Sequence, residues 1–158
     1  MSIEAVKSYF SSLRRGKDIR EFPVSSATVE LAASALGVQG ARIAKTLSFL
    51  TREGCILVVA AGDAKVDNAK YKAQFGCKAS MVPREECERL TGHAVGGVCP
   101  FCNPEGVRVY LDRSLQRFQT IFPACGSANS AIELTNEELE RFSGASCWVD
   151  VCKGWEQG

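Results

Sequence analysis

The apolar residues Ile3, Val6, Phe10 and Leu13 recur at three- and four-residue steps, so they share one stripe of a helix, and Ser2 and Glu4 suit its start. A second helical pattern runs through Val29, Leu31, Ala32, Ala35 and Leu36, with Thr28 before it and Gly37 placed to close it. The period then changes. Thr46-Leu47-Ser48-Phe49-Leu50 alternates, Ile56 to Ala60 is a continuous apolar run, and Glu53-Gly54 between them supplies a turn. This predicts a hairpin whose second strand is covered on both faces. Asp67 to Phe75 reads as a helix ending at Gly76, Lys78 to Val82 as a short strand, and Pro83-Arg84-Glu85-Glu86 as the start of another helix with Pro in its first turn. Thr91 to Gly106, punctuated by glycine and proline, reads as a loop. Val107 to Leu111, Thr120 to Ala124 and Ser130 to Leu134 read as strands, Thr135-Asn136-Glu137-Glu138 begins a helix reaching Phe142, and Trp148 to Val151 forms a last strand. Helices interspersed with adjacent strands, without linker or repeat, predict one α/β or α+β domain over residues 1–158 with a mixed sheet.

Composition narrows the classes. With 46% hydrophobic and 23% charged residues the chain is neither disordered nor fibrous. Its longest apolar run, Cys55 to Ala61, is too short to cross a bilayer, and Met1-Ser2-Ile3-Glu4 lacks a basic-then-apolar leader, so a cytoplasmic protein without membrane partners is expected. In that compartment the eight cysteines read as reduced thiols, several of them small buried hydrophobes. A net charge of +1 gives no global attraction to nucleic acid, so any RNA contact has to be local and salt-sensitive.

Several constellations invite chemistry. Gly40 to Thr46 falls one residue short of a phosphate loop, because Ala44 stands where glycine is required and a strand, not a helix, follows. Lys45 is nevertheless notable, since an ammonium at the start of a buried strand needs a cleft or a partner; the competing reading is a solvated lysine at a strand edge. Cys99-Pro100-Phe101-Cys102 has the spacing of a redox pair or half a zinc site. The turn that follows speaks against redox chemistry and no second close pair completes a metal site, so packing is favoured and neither metal nor cofactor is expected. His93 stands alone, which excludes multi-histidine sites. Asp112 is as well suited to cap a turn as to catalyse.

Taken in order, Val29 to Gly37, Ile43-Ala44-Lys45-Thr46-Leu47, the Gly96 to Pro100 loop, Val109 to Leu115 and Ala124-Cys125-Gly126 with Ile132-Glu133-Leu134 resemble the YbaK / prolyl-tRNA-editing domain family over nearly the whole chain. The resemblance implies a mixed, mostly antiparallel sheet flanked by helices. It implies a trans-acting aminoacyl-tRNA deacylase that cleaves the ester of a mischarged transfer RNA, of tRNA-Pro type carrying a small amino acid such as Ala or Cys. The alternative is a non-catalytic module of the same fold that binds transfer RNA or a synthetase. The implied partners are the 3′ acceptor end of aminoacyl-tRNA and an aminoacyl-tRNA synthetase. Lys45 and Gly96 become the implied catalytic positions, and Phe22, Thr46, Gly97, Val98, Cys99, Pro100, Asp112, Ala124, Cys125 and Gly126 the implied substrate-binding ones. The chain departs from the family pattern at Cys99, Cys102 and Cys125, and by having no histidine between Phe122 and Ser130.

Overall fold

The computed structural model describes residues 2–155; positions 1 and 156–158 of the expected domain and of the N-terminal reading lie outside the described residues. Five α-helices appear among them: α1 Ser2–Ser12, α2 Val29–Leu36, α3 Asn68–Phe75, α4 Arg84–Thr91 and α5 Asn136–Ser143. The strands are β1 Arg20–Glu21, β2 Ile43–Thr51, β3 Gly54–Ala61, β4 Lys65–Val66, β5 Arg108–Asp112, β6 Thr120–Pro123, β7 Ser130–Ala131, β8 Leu134–Thr135, β9 Cys147–Val149 and β10 Cys152–Lys153. The helix starts follow side-chain chemistry. Thr28 Oγ1 accepts from Leu31 N–H (3.1 Å), Asp67 Oδ1 from Lys70 N–H (3.0 Å), and Thr135 forms a reciprocal capping box with Glu138. Thr135→Ala is therefore expected to lower unfolding stability by about 1 kcal/mol in urea titration, because α5 loses one half of that box.

The main sheet has the order β8-β6-β2-β3-β5-β9. β2 and β3 pair antiparallel over their full length, from Ala44 opposite Ala61 to Thr51 opposite Gly54, which is the expected hairpin. β3 also pairs in parallel with β5 and β5 with β9, so Cys55 to Ala61 lies inside the sheet and is buried throughout. β2 and β6 pair in parallel, and β6 and β8 antiparallel. Two small antiparallel ladders, β1 with β7 and β4 with β10, complete a mixed architecture in which antiparallel pairing predominates over the described ladders. Helix α1 contributes Val6 and Phe10 to the core, where the Phe10 ring meets Phe101 and Phe142 edge-on at centroid distances of 5.0 and 5.7 Å.

Three local expectations change. Ser130 to Leu134 is not one strand: β7 joins β1, β8 joins β6, and Glu133 between them turns toward Arg42, with a 3.2 Å ion pair. Lys78 to Val82 is not a regular strand. It reaches β2 through Leu50 N–H to Ser80 O (2.8 Å), Val82 N–H to Ser48 O (3.1 Å) and a single bridge at Met81. Pro83 precedes α4 as its cap residue instead of sitting inside the first turn. Each difference bears on the edge of β2.

Candidate active site

β2 is covered by β3 along one side, but its other side is covered only at the ends. β6 pairs with Ile43 and Ala44, and the Ser80–Val82 segment joins from Ser48 onward. Between them Lys45, Thr46 and Leu47 have no strand neighbour on that side, and there a cavity of about 390 Å³ opens. Unpaired backbone donors and acceptors on an interior strand are a ready surface for an extended polar ligand. The remaining walls come from the start of α2, from the segment before α4, from Val95 to Val98 and from Phe122 to Ala131, mostly apolar surfaces such as Val29, Val82 and Phe122. Lys45 and Arg84 are the charged side chains of the lining, which contains no carboxylate and no imidazole.

Lys45 is half-buried, and its Nζ donates to Gly62 O (3.4 Å) and Ala64 O. Burial pushes its pKa below the ordinary lysine value, while the nearby Asp63 and Glu30 carboxylates oppose that shift. Thr46 also lines the cavity, and its buried Oγ1 has no hydrogen-bond partner. A buried hydroxyl left unpaired is costly, so a ligand that bonds to it gains accordingly. Gly96 is at the wall with φ +92, a left-handed conformation that disfavours any side chain. An added Cβ would also crowd Ala27 Cβ (3.3 Å) and touch Ala128 Cβ (3.5 Å).

Of the residues the sequence singled out, Lys45, Thr46, Gly96, Val98 and Ala124 meet at this cavity. The others do not line it, and each has a structural task. Gly97 is packed against backbone, where a Cβ would lie 2.9 Å from Gly126 C and from Ser127 N and Cα. At Gly126 a Cβ would meet Ser2 backbone at 3.0 Å, so that glycine seats the start of α1. Phe22 is tied to Asn129 by N–H to O (2.8 Å) and by Asn129 Nδ2 to Phe22 O (2.9 Å). Cys99 and Cys125 are fully buried thiols whose pKa values burial raises, so they act as hydrophobes, and Pro100 is buried beside a separate hollow near Tyr9. Asp112 is buried with Oδ2 accepting from Ser114 N–H (3.0 Å) and Oδ1 from Val151 N–H (2.9 Å). Cys102, exposed at φ +57, donates toward Ala5 O (3.6 Å), and among the described residues no three His, Cys, Asp or Glu side chains gather as a metal site. Arg84, Phe122 and Ser130 belong to the lining but carry no motif, since only the fold brings them to the gap in β2.

His93 is 1% exposed and outside the cavity. Its Nε2 lies 2.7 Å from Phe101 O; a carbonyl only accepts, so Nε2 carries the proton and Nδ1, which has no partner, is bare. Burial lowers its pKa below 6.5, against the opposing pull of the Phe101 carbonyl. The unfolded chain thus binds a proton on acidification before the native state does. The stability given by neutral His93 is complete above about pH 6.5 and is lost as the pH falls through the depressed native value. The urea midpoint is expected to drop from pH 7.5 to pH 5, and the drop to shrink in His93→Gln, whose amide can still donate to Phe101 O.

Comparison with known proteins identifies the family. The model of the aminoacyl-tRNA editing domain matches residues 24–142. The chain belongs to the aminoacyl-tRNA editing domain family. This editing domain is 55% identical to the uncharacterized protein YwhH of Bacillus subtilis (strain 168) over 157 residues, covering 99% of this chain and all of that one. It is 30% identical over 120 residues to the proline–tRNA ligase of Limosilactobacillus fermentum, matching 72% of this chain and 21% of the ligase, so it spans about a fifth of that enzyme. A solved structure described as a proposed trans-editing enzyme for prolyl tRNA synthetase superposes with a TM-score of 0.86 at 28% identity, covering 97% of this chain and 98% of the other.

Proposed function

We propose that this editing domain acts in trans to hydrolyse the ester between an amino acid and the 3′ end of a mischarged transfer RNA, of tRNA-Pro type carrying alanine or cysteine. The observation that carries this reading is the half-buried Lys45 ammonium at a cavity that otherwise offers neither a carboxylate nor an imidazole. A site without a general base suits a substrate that is already activated. In an aminoacyl ester the leaving group is a ribose hydroxyl, and a positioned water with fixed positive charge near the developing oxyanion suffices. Water adds to the ester carbonyl, the bond to the ribose oxygen breaks, and the ribose hydroxyl and free amino acid are released. Lys45 is read as the anchor of the substrate's phosphate or ester oxygens, Gly96 as the wall that lets backbone approach the ester, and Thr46 Oγ1 as a partner for a substrate polar group. The mostly apolar lining suits an uncharged amino-acid side chain such as alanine or cysteine. The domain's similarity to part of a proline–tRNA ligase supports a proline acceptor and a synthetase as a partner, and a transfer-RNA substrate supports a cytoplasmic reaction.

The test is a deacylation panel with alanine, cysteine, serine and threonine esterified to proline and alanine acceptors. Faster release of alanine or cysteine from the proline acceptor than from the others is the expected outcome. Binding of these transfer RNAs without hydrolysis above background would instead make the domain a binding module.

A further inference from the structure

The two carbonyls that receive Lys45 belong to one turn, Gly62–Ala64, which follows β3 and is closed by Ala64 N–H to Ala61 O (3.0 Å). The turn is clamped from two directions. Between the two carbonyl-bearing residues, Asp63 takes a double hydrogen bond from Arg117, Nη1 to Oδ2 at 3.0 Å and Nη2 to Oδ1 at 2.6 Å. Arg117 is itself fixed: Nε donates to Ser114 O (2.9 Å), Nη1 to Trp155 O (3.0 Å), and the guanidinium lies 4.9 Å from the Phe118 ring centroid and 5.1 Å from that of Trp155. From the other direction the turn abuts Gly40 and α2. A Cβ on Gly62 would lie 2.0 Å from Gly40 O and 2.8 Å from Val29 Cγ1, so the chain can approach there only because residue 62 is glycine.

A lysine ammonium is a compact charge on a flexible four-carbon stem, and does not point anywhere without help. We propose that Arg117 and Asp63 are positioning residues for Lys45: their double bond fixes the turn whose carbonyls aim the ammonium, leaving its third proton for the substrate. The inference rests on the reading of Lys45 as substrate anchor. It assigns Arg117, about 70 residues away in sequence, to the site through geometry alone. The pairing needs arginine specifically, because a planar fork can hold both carboxylate oxygens while stacking on Trp155, and a lysine keeps the charge but loses both features.

Arg117→Lys and Asp63→Asn test this with two readouts. Acetylation of Lys45 by N-hydroxysuccinimide acetate, followed by peptide mass spectrometry, reports how tightly the amine is held and needs no substrate. Deacylation of alanine esterified to a proline transfer RNA reports the consequence. Lys45 labelling is expected to quicken several-fold in both variants. KM is expected to rise roughly tenfold with kcat within about twofold, because misplacing an anchor weakens binding without removing a reacting group. General structural damage would lower kcat and the melting temperature as well. Unchanged Lys45 labelling in both folded variants overturns the inference, whatever the kinetics. Faster labelling with unchanged deacylation would uphold the turn as the Lys45 cradle and overturn the anchoring role of Lys45 instead.

Discussion

Lys45→Ala is expected to reduce kcat/KM for release of a mischarged amino acid by at least about 100-fold while leaving the fold intact, because removing the charged anchor from a partly desolvated site leaves the substrate oxygens it holds without their partner. Both halves of the expectation follow from the position of the residue. Its backbone is held by β3 opposite Ala60, a pairing the substitution does not touch. Its ammonium is half-desolvated, as its lowered pKa reflects, so removing it also relieves a burial cost. The carbonyls of Gly62 and Ala64 face the space vacated and can bond water there. Radiolabelled amino-acid release and a thermal melt on the same preparation decide the matter. A variant that melts like the parent and deacylates at the parent's rate would end the assignment of Lys45.

Much of this site could be read from the chain because it sits where a pattern breaks. Alternation from Thr46 to Leu50 and the apolar run from Ile56 to Ala60 predict the hairpin that carries Lys45, and a lysine inside such a strand is a local contradiction of the kind that marks function. The order of Lys45 relative to the glycine loop supplied Gly96 and Val98. What stayed hidden was the gap itself. It exists because β6 stops pairing at Ala44 and the Ser80–Val82 segment begins only at Ser48, and neither limit follows from periodicity. Arg84 looked like the first turn of a helix and Phe122 like a core strand, both of which are true. Conversely, Gly97, Gly126, Cys99 and Cys125 lie beside site residues in sequence yet face packed backbone or core, since neighbours on a chain need not share a surface. The pairings of β1, β4 and β10 were invisible, because two-residue strands have no period to detect.

Asp112→Ala is expected to be the most destabilising of the single substitutions considered, by about 2–5 kcal/mol, with a fall of roughly 10 °C in the melting midpoint. The cost comes from what is left behind. Ser114 N–H and Val151 N–H are both buried and both donate to this carboxylate, so removing it strands two amide donors and unties the short helical turn Arg113–Arg117 from the segment between β9 and β10. Burial, and then the neighbouring Asp112 carboxylate, also push the Cys152 thiol up to about 12, so that thiol stays protonated beside it. Arg117 lies at the end of the same short turn, which places Asp112 behind the clamp on the Gly62–Ala64 turn without bringing it to the cavity. Asp112→Asn, which keeps one acceptor but sets an amide against the other donor, should fall between parent and alanine variant in urea titration. At a temperature where it is fully folded, the asparagine variant should retain most of its deacylation activity. A variant with parent-like stability and no activity would move Asp112 from the scaffold into the chemistry.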